Sequence, residues 1–219
     1  MSLIFYGHPF SSYCQKALIA LYEKGVAFEY RMLSSDNPSA GEEMAALWPL
    51  NRFPVLVADG RTLPEASIIV EYLDLIAPDD APLLPVDRDA ALVVRLFDRV
   101  FDNYVMTPMQ AIVSDHTRPA DSRDPTSREQ AHMLLDRSYA WLEGALTGKP
   151  WAVGKTFTLA DCAAAPSLFY ADWVHPIGDA HPTLAAYRAR LLERPSFARA
   201  VEEGRPFRSL FPPGAPDRD

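Results

Sequence analysis

The sequence predicts a two-part α/β fold, in which a small domain with the element order βαβαββα is followed by an all-helical domain. Three observations lead to this prediction. Up to residue 77, short apolar runs typical of strands alternate with helical periodicity; from residue 90 onward, apolar residues recur at helical spacing; and a proline-rich segment separates the two regions. The 219 residues, 48% of them hydrophobic, are enough to bury a sizeable core.

The first domain contains four predicted strands and three predicted helices. The strands are expected at residues 3–6, 27–33, 55–58 and 61–63, and the helices at residues 13–24, 39–48 and 66–76. Asp59-Gly60 is a strong turn signal, so the third and fourth strands should form a hairpin. In the third helix Ile69, Leu73 and Ile76 share one face, which predicts that this face is buried.

The second domain is predicted to contain helices only. They are expected at residues 90–113, 129–146, 159–173, 184–192 and 197–202. Pro108 lies inside the first of these helices and should kink it, because proline lacks a backbone donor. The predicted boundaries are 1–77 for the first domain, 78–86 for the linker, 87–204 for the helical domain and 205–219 for a proline-rich tail or strap on the surface.

Composition and charge exclude several functions. Lys and Arg number 21 against 29 acidic residues, and neither domain is basic, so no nucleic-acid partner is expected. No apolar run reaches the ~20 residues of a membrane span and no basic leader is present, so we expect a cytoplasmic protein without a membrane partner. Two cysteines are too few for a disulfide framework, and the five histidines show no paired helical spacing, so no metal site is predicted.

Ser11-Ser12-Tyr13-Cys14 ends the first strand and opens the first helix. The first N–H groups of a helix have no intrahelical partner, so this position favours an anion. Ser12 and Gln15 match a capping box, which predicts that Ser12 caps the helix. Ser11 would then be free to face a ligand. Cys14 lies on the apolar face of the helix, which favours packing.

Several motifs together resemble a bacterial serine-type (theta-, zeta- or beta-like) member of the cytosolic glutathione S-transferase family. They are Ser-x-x-Cys at residues 11–14, Arg-Phe-Pro-Val-Leu at 52–56, Leu-Pro-Glu-Ala at 63–66, Glu-Tyr-Leu at 71–73 and Phe-Thr-Leu-Ala-Asp at 157–161. The resemblance covers essentially the whole chain. It implies a thioredoxin-like first domain with a mixed sheet that binds glutathione as co-substrate, a second domain with a pocket for a small hydrophobic electrophile, and a homodimer without a metal.

The resemblance also implies a role for the first hydroxyl. A free thiol with a pKa of ~8.5 is only a few per cent ionised at neutral pH, and the thiolate is the nucleophile. Ser11 stands where serine-type transferases place the hydroxyl that stabilises the glutathione thiolate, so it is the predicted catalytic residue. A single hydrogen bond to a charged acceptor is worth about 1.5–3 kcal/mol, which corresponds to one to two pKa units.

Further glutathione contacts follow from the resemblance. Pro54 should be cis, so that the backbone of Phe53 faces the cysteinyl unit, and Arg52 should contact the glycyl carboxylate. Glu65 should take the ammonium group. Ala66 departs from the family pattern, which has serine there, so the γ-glutamyl carboxylate would be held by the N–H groups of residues 66 and 67, with a hydroxyl offered only by Ser67.

The electrophile pocket is predicted between the two domains, with Phe10, Tyr104 and Met109 as candidates, although such a stripe is also typical of a core. Two alternative functions stay open. A glutathione-dependent isomerase would use the same thiol, but Tyr13 replaces the cysteine of the Ser-Ser-Cys pattern common in those relatives. A non-catalytic interaction module is the other alternative; the retained Ser11, Pro54 and Glu65 argue against it, whereas Ala66 keeps it open.

Overall fold

The computed structural model describes residues 1–78 and 81–219. Its first domain is a four-stranded mixed sheet with three helices, as predicted. The strands are β1 (Leu3–Gly7), β2 (Glu29–Met32), β3 (Val55–Ala58) and β4 (Arg61–Pro64), and the helices are α1 (Ser12–Glu23), α2 (Pro38–Leu47) and α3 (Ala66–Ile76). The order in the sheet is β2-β1-β3-β4, with β1 parallel to β2 and antiparallel to β3. β3 and β4 form the expected antiparallel hairpin.

The helical domain begins with α4 (Arg88–Val100), a π-helical segment (Phe101–Met106) and α5 (Thr107–Thr117). It continues with α6 (Pro125–Ala145), α7 (Leu159–Val174), α8 (Pro182–Leu192) and α9 (Pro195–Gly204). Within the described part of the chain, no helix combines the length and apolar character needed to span a membrane. The domain boundaries remain predictions, and Asp79 and Asp80 of the predicted linker lie outside the described residues.

The helix predicted at residues 90–113 departs from a regular α-helix. Pro108 stands in the first turn of α5, and the regular α-helix is interrupted by the π-helical segment immediately before it. Proline has no N–H, so the preceding turn cannot close with regular α-helical bonds, and a wider turn forms instead. The Thr107 hydroxyl donates to the Asp102 carbonyl at 3.0 Å within this turn.

Helix α1 lies at the centre of the molecule. Its residues from Cys14 to Leu21 are all buried, because α1 packs between the sheet and the helices α3, α7 and α9. Helix α7 is its main partner in the second domain and is itself almost entirely buried. The start of α1 therefore lies at the seam between the two domains.

Helix α7 begins at the capping box predicted by the motif at residues 157–161. Thr158 is the N-cap, and the side chains of Thr158 and Asp161 each accept a hydrogen bond from the other residue's backbone N–H. Asp161 is fully buried and also accepts from the backbone of Ala152 and the hydroxyl of Tyr187. The motif thus anchors α7, the loop before it and α8 to one carboxylate.

Candidate active site

A polar cavity of about 540 Å³ opens at the seam, beside the N-termini of α1 and α3. Four segments line it: the start of α1, the loop before β3, the start of α3 and the π-helical segment with its flanks. Its residues are Ser11, Tyr13, Trp48, Asn51, Arg52, Phe53, Pro54, Glu65, Ala66, Arg99, Asp102, Asn103 and Gln110. The cavity brings together the predicted glutathione contacts of residues 11, 52–54, 65 and 66.

The capping prediction for Ser12 is wrong. Ser11 is the N-cap of α1, and its hydroxyl oxygen accepts a long hydrogen bond of 3.4 Å from the Cys14 N–H. Ser12 is the first residue of the helix, and the Gln15 amide donates to the Pro9 carbonyl at 2.9 Å instead of returning to the cap. Because capping uses the hydroxyl as an acceptor, the hydrogen of the Ser11 hydroxyl stays available to a ligand.

The thiol of Cys14 is a packing group, as predicted. It is fully buried, and its sulfur accepts a hydrogen bond from the His8 N–H at 3.4 Å. Burial raises the pKa of Cys14 to about 12, so the thiol stays protonated at neutral pH. A side chain at Gly7 would have no room, because its Cβ would lie 2.7 Å from the Cys14 sulfur.

The loop before β3 presents backbone to the cavity. The Phe53–Pro54 peptide bond is cis, as the resemblance implied. Arg52 and Phe53 are exposed at the cavity, whereas Pro54 is buried at its edge. The Arg52 side chain makes no hydrogen bond within residues 1–78 and 81–219, so its guanidinium can contact a ligand.

The start of α3 forms the opposite wall. Glu65 is its N-cap, with φ 74° and no side-chain capping bond. A left-handed φ costs a non-glycine residue about 1–3 kcal/mol and persists only where the surroundings hold it. The first N–H groups of α3, from Ala66 and Ser67, follow directly and have no intrahelical partner, so this wall favours a carboxylate.

The Ser67 hydroxyl does not face the cavity, in contrast to the expectation that it would replace the hydroxyl missing at Ala66. It accepts from the Lys16 ammonium at 2.9 Å and from the Arg99 guanidinium at 2.5 Å, and it donates to Asp98 at 3.0 Å. These partners belong to an ionic cluster, which turns the hydroxyl toward α4. Only the backbone of Ser67 can serve a ligand in the cavity.

The ionic cluster consists of Lys16, Ser67, Asp98, Arg99 and Asp102. The Lys16 ammonium lies 2.5 Å from Asp98 and 2.7 Å from Asp102, and Arg99 lies 2.6 and 2.7 Å from the same two carboxylates. Burial raises the pKa of Asp102, although the neighbouring Lys16 lowers it. Two cations balance two carboxylates, so the cluster is neutral.

Tyr13 also lines the polar cavity. Burial, together with the nearby Asp102 carboxylate, raises the pKa of Tyr13 to about 12, so its hydroxyl stays protonated at neutral pH. A protonated phenol is a hydrogen-bond donor. Tyr13 therefore adds a second hydroxyl-bearing residue to the lining of this cavity.

A second, apolar cavity of about 300 Å³ adjoins the first and shares Ser11, Phe53 and Gln110 with it. It is lined by Phe10, Ser11, Ser12, Phe53, Met109, Gln110, Val113, Tyr170, Leu210, Phe211 and Pro212. Phe10 and Met109 are brought together as predicted. Tyr104 is not: it lies in the π-helical segment, and the wider turn rotates it away, leaving it 49% exposed and outside both cavities.

The C-terminal tail supplies part of the apolar cavity. It was predicted to lie on the surface, but Phe211 is 7% exposed and packs against Tyr170, Trp173 and Phe10. The tail is held by an ion pair between Arg218 and the Asp172 carboxylate on α7, and by a hydrogen bond from Arg218 to the Asp172 carbonyl at 2.8 Å. It is therefore a strap that closes one wall of the cavity.

Several cavity residues were missed in the sequence. They are Tyr13, Trp48, Asn51, Arg99, Asp102, Asn103 and Gln110 in the polar cavity, and Ser12, Val113, Tyr170, Leu210, Phe211 and Pro212 in the apolar one. The sequence does contain a pattern that indicates Arg99 and Asp102. Asp98, Arg99 and Asp102 interrupt an apolar periodicity at a spacing that places two acids on one helical face.

The first domain is a mixed sheet that brings a cis proline and a helix N-terminus to one cavity, and an all-helical domain follows it. This combination defines the class of proteins that join a thioredoxin-like domain to a helical one. Two family models identify it further. The glutathione S-transferase N-terminal domain matches residues 5–81, and the glutathione S-transferase C-terminal domain matches residues 125–190. The chain belongs to the glutathione S-transferase family.

Individual relatives agree with this assignment. The chain is 30% identical to a stringent starvation protein A homolog from Coxiella burnetii, over 90% of each chain, and 27% identical to the probable maleylacetoacetate isomerase 2 of Drosophila melanogaster, over 93% of this chain and 89% of that one. Among solved structures, a glutathione S-transferase from Methylobacillus flagellatus with GSH bound superposes with a TM-score of 0.82 at 28% identity, covering 91% of this chain and 98% of that one.

Proposed function

We propose that this protein is a glutathione transferase, which activates the glutathione thiol as a thiolate through Ser11 and conjugates it to apolar electrophiles. The observation that carries the proposal is the position of the Ser11 hydroxyl. It stands at the positive end of α1, at the junction of the polar and apolar cavities, and its hydrogen is not used by the cap. A thiolate here would meet both a donor and an electrophile.

The polar cavity suits the tripeptide part of glutathione. The backbone of Phe53, next to the cis bond, would pair with the cysteinyl unit, and Arg52 would hold the glycyl carboxylate. At the other end, Glu65 would accept from the ammonium, and the N–H groups of Ala66 and Ser67 would hold the γ-glutamyl carboxylate. The Methylobacillus flagellatus transferase, whose structure contains GSH, supports glutathione as the ligand.

The chemical step needs a lower thiol pKa. A hydrogen bond from Ser11 to the thiolate would contribute about 1.5–3 kcal/mol, and the N-terminus of α1 about 0.3–1 kcal/mol more, which together lower the pKa by one to three units from ~8.5. The thiolate sulfur then forms a bond to the electrophilic carbon, and the displaced group leaves with the bonding electrons. Phe10, Met109, Tyr170 and Phe211 would hold the apolar electrophile.

We propose that a second copy of the chain completes the molecule as a homodimer. Large apolar side chains are at least half exposed on α3, on α4 and in the segment between them: Ile68, Leu75, Val86, Leu92 and Leu96. Exposed apolar surface of this extent favours an interface. Sedimentation velocity should give about twice the mass of 24.4 kDa, and charged substitutions at Leu75 and Leu92 should give the monomer.

Two other functions have specific support. The relative named as a probable maleylacetoacetate isomerase supports an isomerase function. Transferase activity in a protein that does not turn over an isomerase substrate would exclude this function. The relative from Coxiella burnetii is named a stringent starvation protein A homolog and not a transferase, which favours keeping a non-catalytic module as an alternative. Glutathione at 100 times its Kd should raise the stability by about 2.7 kcal/mol, whereas a module that does not bind it would show no change.

The test of the proposal separates the two roles of Ser11. Ser11→Gly retains an acceptable N-cap at a cost of a few tenths of a kcal/mol, whereas Ser11→Ala also loses the cap, about 1 kcal/mol. Both variants should lose about 10- to 100-fold in kcat/KM with an activated chloroarene, and the pKa of bound glutathione should rise toward that of the free thiol.

Ser12→Ala is the matched control, because Ser12 neighbours Ser11 but does not cap the helix. It should keep most of the activity. A loss of less than about threefold in Ser11→Gly, or a larger loss in Ser12→Ala, would contradict the role of Ser11.

A further inference from the structure

The turn that precedes α1 is built around His8. The Ser11 N–H donates to the His8 carbonyl at 3.0 Å, which closes a turn over residues 8–11, named here the His8–Ser11 turn. Nδ1 of the His8 imidazole also accepts from the Phe10 N–H at 3.1 Å. His8 therefore holds the turn with both its backbone and its side chain. Ser11, the last residue of the turn, is the N-cap of α1.

The side-chain bond of His8 has the form of an Asx-turn. In such turns an Asn or Asp side chain accepts from the backbone N–H two residues later, as His8 does from Phe10. Imidazole differs from a carboxamide, because its accepting nitrogen can bind a proton near neutral pH. Nδ1 accepts from an N–H, so the hydrogen of the neutral ring lies on Nε2. Protonation of Nδ1 would place two donors against each other and remove the bond.

The His8–Ser11 turn contributes to both cavities. Phe10 lines the apolar cavity, and Ser11 lines the apolar and the polar cavity. The Tyr170 hydroxyl anchors the Phe10 carbonyl at 3.1 Å, whereas the Phe10 N–H has no acceptor other than His8 among residues 1–78 and 81–219. Loss of the His8 acceptor would leave this donor unsatisfied one residue before Ser11. The position of the Ser11 hydroxyl therefore depends on the His8 ring.

The surroundings of His8 keep its ring neutral at pH 7. Its ring lies edge-on to Phe207, with the ring centroids 4.6 Å apart, and its backbone N–H donates to the sulfur of Cys14, which burial keeps protonated. Two charged side chains flank Phe207 in the turn of residues 205–210 and are both paired with the Asp219 carboxylate: Arg205 and Arg208. Burial lowers the pKa of His8 below its usual value of about 6.5.

We propose that His8 is a positioning residue for Ser11: its neutral imidazole holds the Ser11 hydroxyl toward the thiol, and protonation of the ring releases the turn and lowers the activity in acid. The proposal rests on the proposed function, because Ser11 acts there on the glutathione thiol. His8 lines neither cavity, so it acts through the turn and not on a ligand. Two protons, one on the thiol and one on His8, then oppose the reaction at acidic pH.

Two substitutions of His8 separate the acceptor from the ring. His8→Asn supplies an acceptor that does not titrate, and His8→Leu fills a similar space without an acceptor. With an activated chloroarene at pH 7.5, kcat/KM should fall about 10-fold in His8→Leu and less than about threefold in His8→Asn. The pKa of bound glutathione, measured from the thiolate absorbance, should rise toward that of the free thiol in His8→Leu only.

The pH dependence identifies the proton. The ratio of kcat/KM in the wild type to kcat/KM in His8→Asn should fall with decreasing pH and should follow the neutral fraction of His8. NMR measures that fraction without ligands, because the His8 signal is the one missing in His8→Asn, and the amide signals of Phe10 and Ser11 should move with the same midpoint. His116→Asn is the matched control: His116 lies on α5 and lines neither cavity, so this variant should keep the wild-type pH profile.

Three results would overturn the assignment of His8. They are wild-type kcat/KM in His8→Leu, a wild-type decline in acid in His8→Asn, and a loss in His8→Leu that His8→Asn does not recover. The last result would show that the ring serves only to pack against Phe207. Amide signals of Phe10 and Ser11 that follow the His8 titration in a protein without transferase activity would support the hold of His8 on the turn and disprove the proposed function alone.

Discussion

Replacing Asp161 with alanine removes the acceptor on which the buried hydrogen bonds at the start of α7 converge. The carboxylate accepts from the N–H groups of Ala152 and Thr158 at 2.8 and 2.9 Å, from the Thr158 hydroxyl at 3.1 Å and from the Tyr187 hydroxyl at 2.6 Å. In the variant the Ala152 N–H, the Thr158 N–H and the Tyr187 hydroxyl have no replacement acceptor. Each unsatisfied buried donor costs about 1–3 kcal/mol, so for the three donors we expect a loss of about 3–9 kcal/mol in the free energy of unfolding.

Urea unfolding, followed by tryptophan fluorescence, measures this loss. Thr158→Ala is the control that removes mainly the N-cap, and it should cost about 1 kcal/mol. Asp161→Asn keeps a carbonyl acceptor without the charge and should fall between the two. If Asp161→Ala costs no more than Thr158→Ala, Asp161 serves only as a capping residue, and the assignment of a shared acceptor for the α7 and α8 region is wrong.

Two further predictions concern the first domain and its contact with the second. Gly7→Ala should cost about 1–3 kcal/mol, because its Cβ would lie 2.7 Å from the Cys14 sulfur and 2.8 Å from the Phe5 ring, whereas Gly41→Ala, with nothing within 4 Å, should be neutral or stabilising in the same unfolding assay. Burial raises the pKa of Glu23, but hydrogen bonds from Arg194 and Ser196 outweigh it and hold the pKa below 4.5. This carboxylate therefore stabilises the fold above pH 4.5, and that contribution is lost as the pH falls through the lowered value. Glu23→Gln should flatten the decline in stability between about pH 5 and pH 3, while a wild-type slope in this variant would show that the pair with Arg194 contributes nothing.

Periodicity was sufficient to predict the architecture. Alternating and helical patterns located every strand and helix of the first domain to within about three residues, and the Asp59-Gly60 turn predicted the β3–β4 hairpin. These features depend on local sequence and on which faces are buried. The resemblance added the cis bond at Pro54, which composition and spacing do not indicate.

The wrong predictions concern side chains whose orientation depends on residues far away in the sequence. The pattern of Ser12 and Gln15 is a valid capping box, but the Gln15 amide instead bonds to the carbonyls of Pro9 and Ala200, the latter 185 residues away. The Ser67 hydroxyl is expected from the sequence to face a ligand, but it bonds to Lys16 of α1 and to Asp98 and Arg99 of α4. These partners are far from residue 67 in the sequence, so local patterns do not reveal them. Tyr104 was misplaced because periodicity assumes a regular helix, whereas the chain widens into a π-helical turn before Pro108.

Lys16 limits which helical domains can be combined with this first domain. Its ammonium belongs to the first domain, whereas both of its carboxylates, Asp98 and Asp102, belong to the second. A helical domain recombined from a relative that lacks these acids would leave a lysine in the seam without a counter-charge, at a cost of about 3–5 kcal/mol. New combinations of the two domains are therefore restricted to helical domains that bring the same two acids to the same lysine.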